Sequence, residues 1–340
     1  GAVVCAENSE KIIKRMHEPL GIGIATPLGI GFANETEEPL GMGFTIVNKE
    51  KEAVEEYKKF VKQIIGDEKI NFSGKILVDV NGGAGFVCKE VFDEFGVGGE
   101  YINMGVREFK RLIEPNESSL SYLKDKIIEN NCDFAIGFDC DADRVEILLK
   151  NGELMSGNDI LALIAKEILK DKDKIVVNDA TSYEVKEFCN GCEWIEVEVG
   201  ETNVVNKMIE TNCVVGGEGS NGGIIIFPSR CRDGILSILF LLKILKNRKL
   251  EDLIAQLPRY YYIKEKIRLN NEFSEIREKV KQYYINKGFR ILETGNESGG
   301  LKFICDSGWV WFRQSKTEDK ILRIIVDSKD KIISDDLMKE

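Results

Sequence analysis

The chain has 340 residues, of which 43% are hydrophobic and 31% are charged, and its formal net charge is −11. The length is enough for roughly two to four domains with sizeable cores, and the composition is typical of a globular protein. The acidic balance argues against a nucleic-acid partner and against an anionic membrane surface. A phosphate site in such a chain would have to concentrate its Arg and Lys residues locally.

The cysteine and histidine content limits the chemistry further. The nine cysteines lack the spacing of a secreted disulfide scaffold, so we expect reduced thiols and a cytoplasmic protein. Cys189 and Cys192 form a single CxxC pair, for which a structural role is favoured over zinc binding. His17 is the only histidine, so acid–base chemistry would depend mainly on carboxylates, Lys, Tyr or Cys. Residues 20–32 are apolar but too short to cross a bilayer, and no membrane partner is expected.

The first 65 residues predict two short glycine-rich strands and one helix. Gly21–Ile24 and Gly29–Phe32 alternate glycine with apolar residues as short strands do, and a polar acidic loop follows at 33–40. Lys49–Ile65 has apolar residues at helical spacing on one face, which predicts an amphipathic helix. We interpret this helix as a connector to the next part of the chain.

From Gly74 onwards strand and helix patterns alternate, which predicts mostly parallel sheets covered by helices. The first run comprises strand 75–79, helix 86–95, strand 100–104, helix 120–130, strand 134–136 and strand 145–149, which pairs back. The second run comprises helix 159–169, strand 174–178, helix 183–188, strand 194–199, helix 202–211, strands 213–215 and 224–227, and helix 234–245. The two runs are similar in length and in their alternation of strands and helices.

The composition changes at Pro258. The last run comprises strand 260–269, helix 273–287, and strands 289–293, 301–305, 309–312 and 321–326. Several strands with one helix predict a small α+β domain.

Three aspartates at alternate positions, Asp139, Asp141 and Asp143, follow a predicted buried strand. In a tight loop, side chains two residues apart can converge, and carboxylate oxygens suit a hard cation such as Mg²⁺. The adjacent Arg144 offers a planar fork for a phosphate or carboxylate oxygen. A solvated acidic turn is the alternative. An EF-hand is disfavoured because its Gly and its bidentate Glu are missing from the expected positions.

A second polar segment lies at 313–320, between the last two predicted strands. It contains three cations and two hydroxyl groups, on Arg313, Lys316, Lys320, Ser315 and Thr317. This combination predicts a phosphate cradle, and a solvated hairpin is the alternative.

Together these segments resemble the α-D-phosphohexomutase superfamily, and the resemblance covers residues 29–340. Residues 139–144 are similar to its metal loop, usually DGDADR, and residues 217–220 to its sugar-recognition loop, usually GExSG. Residues 313–318 are similar to its phosphate loop, usually RPSGTEP. Residues 199–208 resemble the segment that leads into the sugar loop. All four occur in the order of the family, each after the expected strand.

The resemblance implies a reaction in which a phosphoserine exchanges its phosphoryl group with a hexose phosphate. It implies Mg²⁺ coordinated by Asp139, Asp141 and Asp143, with Arg144 beside the transferred phosphoryl group. It implies sugar hydroxyls bound by Glu218 and Ser220. It also implies that the non-reacting phosphate is bound by Arg313, Ser315 and Thr317, assisted by Lys320 and Arg323.

The segment that should carry the phosphoserine departs from the family pattern, which reads roughly GxxITASHNPxxxNGxK. Laid without a gap on Gly29–Thr45, the pattern matches only Gly29 and Gly43, and Glu35 falls at the serine position. A register shifted by one residue places Thr36 there instead. Neither register supplies the His and Lys that the family offers as acid–base groups.

Three interpretations of this segment remain open. Glu35 could be a permanent fourth metal ligand that mimics a phosphoserine, although with one negative charge instead of nearly two. Glu35 could also be a solvated residue in a loop whose sequence has diverged from the family pattern. In the shifted register, Thr36 would be the phosphorylated hydroxyl. The candidate catalytic residues are therefore Glu35, Thr36 and Arg144.

The fold class predicted is α/β, with consecutive βα units, mixed sheets and a C-terminal α+β domain. We expect a remnant of the phosphoserine domain at 1–50, a metal-loop domain at 51–153, a sugar-loop domain at 154–257 and a phosphate-binding domain at 258–340. The function predicted is binding of Mg²⁺ and a hexose phosphate, with mutase activity weak or lost. The alternative is an active mutase of the phosphomannomutase or phosphoglucosamine mutase type. A protein partner or a second copy could cover the side that the reduced first domain leaves open.

Overall fold

The computed structural model describes residues 48–246, 248–316 and 318–340. The predictions for the glycine-rich strands, His17, Glu35, Thr36 and Thr317 lie outside the described residues. None of the helices within the described ranges combines the length and the apolar character that a membrane crossing requires.

The described chain begins with helix α1 (Glu50–Ile65), close to its predicted bounds. Its apolar face buries Val61 and Ile65 in the main core. The hydroxyl of Tyr57 donates to Asp233 Oδ1 at 2.7 Å, and Asp233 is the N-cap of a later helix. The connector predicted from the sequence is therefore packed against the body of the molecule.

The first sheet has the strand order β2-β1-β3-β4-β5. Its strands are β1 (Ile76–Asp79), β2 (Gly99–Ile102), β3 (Phe134–Phe138), β4 (Val145–Leu149) and β5 (Leu154–Met155). Its helices are α2 (Cys88–Glu94), α3 (Glu117–Leu120) and α4 (Leu123–Glu129). β1 is parallel to β2 and β3, whereas β3–β4 and β4–β5 are antiparallel. β1, β3 and β4 are buried along their whole length, which explains their largely apolar sequences, and Asp79 and Glu146 are the charged residues among them.

The second sheet repeats this plan with the order β7-β6-β8-β9. Its strands are β6 (Lys174–Asn178), β7 (Glu193–Val197), β8 (Val215–Glu218) and β9 (Gly223–Ile226). Its helices are α5 (Gly157–Ile168), α6 (Tyr183–Phe188), α7 (Glu201–Thr211), α8 (Gly234–Leu245) and α9 (Leu250–Ile254). β6 is parallel to β7 and β8, and β8–β9 is antiparallel. The strongly apolar α8 contacts β4 as well as β9, so one hydrophobic core continues through both sheets.

The third sheet is antiparallel throughout, with the order β10-β14-β13-β12-β11. Its strands are β10 (Tyr261–Arg268), β11 (Arg290–Glu293), β12 (Leu301–Cys305), β13 (Gly308–Gln314) and β14 (Ile321–Ser328), and its helices are α10 (Phe273–Asn286) and α11 (Lys331–Lys339). Its own core includes Phe303, Phe312 and Tyr284. The α/β fold with mixed sheets and a C-terminal α+β unit is therefore confirmed. Helices α9 and α11 were not predicted.

Aromatic and polar groups join the third sheet to the second. Trp309 and Trp311 are buried with Ala180, which follows β6. The carboxylate of Asp327 accepts hydrogen bonds from Ser182 Oγ and from the main-chain nitrogen of Tyr183, both at 2.8 Å. The position of the third sheet beside the second is thus fixed by directed contacts as well as by apolar burial.

Candidate metal and sugar-phosphate site

The candidate residues lie where the topology of each α/β sheet creates a crevice. In the first sheet β1 has β2 on one side and β3 on the other, and in the second sheet β6 has β7 and β8 on its two sides. Ligands of open α/β sheets bind at such points, beyond the carboxyl ends of the strands. Asp79 and Asp139 lie at the ends of β1 and β3, and Asn178 and Glu218 at the ends of β6 and β8.

The metal loop is a tight turn whose main chain packs closely against Gly83. The main-chain nitrogen of Ala84 donates to the carbonyl of Cys140 at 2.7 Å, and a Cβ at Gly83 would overlap the main chain of Cys140. The turn passes through Ala142 in the left-handed region, with φ of 57°. This conformation lets the chain reverse within the loop and brings the alternate aspartates to one side.

The three predicted metal ligands converge. One carboxylate oxygen from each of Asp139, Asp141 and Asp143 lies within 4.8 Å of the others. The Oδ1 atom of Asp143 is buried and has no hydrogen-bond partner among the described residues. Oxygen donors and an unpartnered carboxylate oxygen suit a hard divalent cation such as Mg²⁺. The residues present therefore fit the ion that the sequence predicts.

Electrostatics support the same conclusion. Burial, followed by the charges of Asp143 and Asp141, raises the pKa of Asp139 well above its usual range, while Arg144 opposes the rise. The Nε atom of Arg144 lies 3.1 Å from Asp139 Oδ2 and 3.5 Å from Asp143 Oδ1. Its Nη1 atom bonds Glu114 Oε1 at 3.1 Å. Arg144 thus lies at the edge of the acidic cluster.

The sugar loop is tied directly to the metal loop. The main-chain nitrogen of Val145 donates to the carbonyl of Gly222 at 3.1 Å. The Oγ atom of Ser220 accepts from Asn178 Nδ2 at 2.9 Å. Glu218 is buried, and its Oε1 accepts from the nitrogen of Gly200 at 2.7 Å and from Asn178 Nδ2 at 3.2 Å. Its carboxylate is therefore engaged by protein donors.

Arg232 is a central residue of the site that the sequence reasoning missed. Its guanidinium contacts Asp143 with Nη2, Glu218 Oε2 with Nη1 at 2.6 Å, and Glu201 Oε2 with Nε at 3.1 Å. In the sequence, Arg232 could have been recognised only from its position immediately before Asp233, which is the N-cap of the helix that follows the sugar loop. A single cation therefore joins the metal loop, the sugar loop and the start of α7.

The phosphate loop spans the β13–β14 turn, and its first cation contacts the second sheet. Arg313 Nη2 lies 3.2 Å from Glu198 Oε1 and donates to the carbonyl of Val199 at 3.4 Å. The Oγ atom of Ser315 accepts from the nitrogen of Glu318 at 3.1 Å. The Nε atoms of Arg313 and Arg323 are buried without a hydrogen-bond partner in the described part of the chain.

The two remaining candidates of this loop differ in position. Arg323 Nη2 bonds Glu318 Oε2 at 2.8 Å, beside the loop. The ammonium of Lys320 instead donates to the carbonyl of Asn270 at 3.2 Å. Lys320 therefore points toward the connection that follows β10.

Lys264, which the sequence reasoning also missed, links the third sheet to the sugar loop. Its ammonium donates to the main-chain carbonyl of Ser220. Desolvation lowers the pKa of Lys264, with Glu146 and Glu114 opposing the shift and Arg144 and Arg323 contributing to it. Lys264 thus contacts the sugar loop and lies close enough to Arg144 of the metal loop and to Arg323 beside the phosphate loop for their charges to affect its pKa.

The fold and the site define an α/β protein in which three aspartates converge in one loop, and comparisons specify its family. The family model described as phosphoglucomutase/phosphomannomutase, α/β/α domain III, matches residues 156–261. Phosphoglucosamine mutase from Methanococcus maripaludis strain C5 is 31% identical over 307 residues, which cover 86% of this chain and 67% of the relative. The chain therefore belongs to the α-D-phosphohexomutase superfamily.

Solved structures agree with this fold. A phosphoglucomutase/phosphomannomutase family protein from Burkholderia thailandensis superposes with a TM-score of 0.67 at 19% identity, covering 83% of this chain and 62% of that one. N-acetylphosphoglucosamine mutase from Aspergillus fumigatus, in complex with GlcNAc-6P and magnesium, gives 0.57 at 14% identity, covering 84% and 63%. The chain thus spans about three fifths of the length of these structures.

Proposed function

We propose that this chain binds Mg²⁺ and a hexose phosphate in the cleft between its three loops, and that its mutase activity is weak or lost. The observation that carries the binding part is the presence of complementary groups on two loops. Three carboxylates converge in the metal loop, and two guanidinium nitrogens without a hydrogen-bond partner among the described residues lie at the phosphate loop. The Aspergillus relative with GlcNAc-6P and magnesium supports both ligand classes.

Each group has a role that its chemistry can perform. Asp139, Asp141 and Asp143 would hold Mg²⁺, which when bound supplies charge neutralisation for phosphoryl oxygens. Arg144 would orient a phosphoryl oxygen beside that ion. The sugar hydroxyls would contact Glu218 and Ser220. The distal phosphate would be held by Arg313, Ser315 and Thr317, with Arg323 beside them.

The loss of activity follows from the sequence at 29–45. Glu35 stands where the family pattern has its phosphorylated serine, and no His or Lys stands at the acid–base positions. An unmodified glutamate at this position carries no phosphoryl group to transfer, and loss of a general acid–base group alone costs about 10²–10⁴-fold in rate. Glu35 as a fourth metal ligand is part of this proposal.

The domain bounds belong to the same proposal. We place a metal-loop domain at 51–153, a sugar-loop domain at 154–257 and a phosphate-binding domain at 258–340, after a segment at 1–50. The three separate sheets support these divisions, apart from β5 (Leu154–Met155), which pairs with β4 in the first sheet.

The test is calorimetric titration of the full chain with Mg²⁺, then with glucose 6-phosphate or GlcNAc 6-phosphate, together with assays of 1- and 6-phosphate interconversion. We expect saturable binding with no interconversion above background. Asp143→Asn should lose Mg²⁺ binding, whereas Asp125→Asn, an exposed change on α4, should retain it. Robust interconversion would refute the proposed loss of activity.

The second candidate is an active mutase, which the names of the relatives favour. In that case the shifted register applies and Thr36 carries the phosphoryl group. Intact-mass analysis of the purified chain distinguishes the two candidates. A stable phosphoryl group localised to Thr36, removed by Thr36→Val together with activity, supports the second.

A further inference from the structure

Three cations of the third sheet form a row across adjacent strands. In the β10–β14 pair Lys266 lies opposite Arg323, and in the β13–β14 pair Arg313 lies opposite the same Arg323. Residues directly opposite one another share a face of the sheet, and like charges in that position are destabilising. The row therefore requires compensating negative charge.

Two carboxylates supply this charge, and they come from different parts of the fold. Glu318 Oε2 lies 2.8 Å from Arg323 Nη2 and 3.3 Å from Lys266 Nζ, and Glu318 belongs to the phosphate loop itself. Glu198 Oε1 lies 3.2 Å from Arg313 Nη2 and 2.8 Å from Lys316 Nζ. Glu198 belongs to the connection between β7 and α7, so its contacts cross from the second sheet to the third.

The Glu198 contact uses the cations that a phosphate in this loop would need. The side chains of Arg313 and Glu198 are only 12% and 14% exposed, so solvent screens their attraction less than it screens a surface ion pair. The Nε atom of Arg313 has no partner among the described residues. The carboxylate thus satisfies part of the donor set and leaves another donor for a larger anion.

We propose that Glu198 is an internal competitor for phosphate, whose carboxylate occupies the anion position between Arg313 and Lys316 until a ligand displaces it. This inference rests on the proposed phosphate-binding role of the loop. A phosphate group carries about 1.5 to 2 negative charges at neutral pH and three acceptor oxygens. It can therefore replace one carboxylate with a net gain in charge and hydrogen bonds.

Two consequences follow from this competition. A carboxylate ligand carries the same charged group as Glu198, so displacing Glu198 would give it no additional attraction to Arg313 and Lys316. The site therefore selects phosphate over carboxylate. Phosphate binding also removes an ion pair between the second and third sheets, because Glu198 and Arg313 lie on opposite sides of that junction. Occupancy of the phosphate loop and this contact between the sheets therefore exclude each other.

The experiment is calorimetric titration of the full chain with inorganic phosphate, in EDTA so that the metal loop does not contribute. The variants are Glu198→Gln, Glu198→Ala, Arg313→Met and the matched control Glu193→Gln, an exposed glutamate on strand β7, which precedes Glu198 in the chain. We expect both Glu198 variants to bind phosphate at least fivefold more tightly than the unmodified chain. Glu193→Gln should leave the affinity unchanged, and Arg313→Met should abolish binding.

The outcomes separate this inference from the proposed function. Equal or weaker phosphate binding by the Glu198 variants, with binding lost in Arg313→Met, overturns the competition and leaves the phosphate site standing. Unchanged binding in Arg313→Met overturns both. Circular dichroism and thermal unfolding of each variant establish that the comparison is between folded proteins, and the two Glu198 variants guard against failure of either one to fold.

Discussion

The Nη1 atom of Arg232 lies 2.6 Å from Oε2 of Glu218, and this ion pair connects the sugar loop to the metal loop. The connection exists because the other terminal nitrogen of the same guanidinium contacts Asp143. The main-chain nitrogen of Arg232 also donates to Glu201 Oε2 at 2.7 Å. With the Arg232 side chain only 14% exposed, one cation compensates three carboxylates in a place that little solvent reaches.

Replacing Arg232 by Gln should therefore destabilise the protein strongly. Glu218 and Glu201 would lose the cation that pairs with them, Asp143 would keep only its longer contact with Arg144, and breaking a buried ion pair costs about 3–5 kcal/mol. Arg232→Lys keeps the charge but loses the planar fork, so its loss of unfolding free energy should be smaller. Chemical denaturation measured without metal compares the two.

Arg230→Gln is the control, since Arg230 is exposed two residues away. If Arg232→Gln unfolds at the same denaturant concentration as Arg230→Gln, Arg232 does not compensate these carboxylates in solution.

Arg232 also illustrates which parts of the site the sequence could predict. The metal loop was predictable because its three aspartates are local, and their spacing alone brings them together in a tight turn. Asp143 and Arg232 are 89 positions apart, and their contact depends on how the two sheets pack around the shared helix α8. The Glu198 contact with Arg313 spans 115 positions and depends on the junction of the second and third sheets.

The same distinction applies to the fold. Buried strands such as β3 and the apolar helix α8 were predicted near their observed bounds because burial imposes a nearly continuous apolar sequence. The five-residue helix α9 is too short to show a helical period. Helix α11 buries only Ser334 and Leu337 and exposes Ile332, so its apolar pattern is weak.

The buried ion pair of Lys302 provides a second prediction. Lys302 is fully buried, with its ammonium 2.5 Å from Glu196 Oε1 and 4.0 Å from the centre of the Trp309 ring. Lys302→Met leaves the carboxylate of Glu196 without its partner, so we expect a loss of about 3 kcal/mol or more in unfolding free energy. Adding Glu196→Gln should restore at least half of that loss, because two neutral side chains of similar volume replace the pair.

A double-mutant cycle measures this coupling between the two residues. Destabilisation of the double variant equal to the sum of the single effects would show that the pair contributes no interaction energy.

A third prediction concerns the support beneath the metal loop. The fully buried Asp79 binds Arg111 Nε at 2.5 Å and accepts from Tyr122 Oη at 2.8 Å. Arg111 in turn donates to the carbonyl of Phe138 at 2.5 Å, one residue before Asp139. Asp79→Asn removes the counter-charge of a buried guanidinium, so it should weaken Mg²⁺ binding and lower stability by about 3 kcal/mol.

Tyr122→Phe is the matched variant, since it removes one hydrogen bond to Asp79 and no charge. It should cost only about 1 kcal/mol and leave Mg²⁺ affinity nearly unchanged in calorimetric titration. Equal Mg²⁺ affinities for Asp79→Asn and the unmodified chain would exclude Asp79 as a support for the metal loop.

The last prediction concerns pH and the buried residue Glu146 on β4. Burial raises the pKa of Glu146 from 4.5 to about 7, and the nearby charge of Lys264 opposes the rise. The folded state binds the proton of Glu146 more tightly than the unfolded state does. The contribution of this carboxyl group to stability is therefore fully present below pH 4.5. It is lost as the pH rises through about 7.

Glu146→Gln cannot ionise, so at pH 8 it should be more stable than the unmodified chain by roughly 3 kcal/mol. The advantage should disappear near pH 4.5. Thermal unfolding of both proteins from pH 4.5 to 8, with the exposed change Glu129→Gln as control, measures this difference, and a constant difference across the range would contradict the assignment.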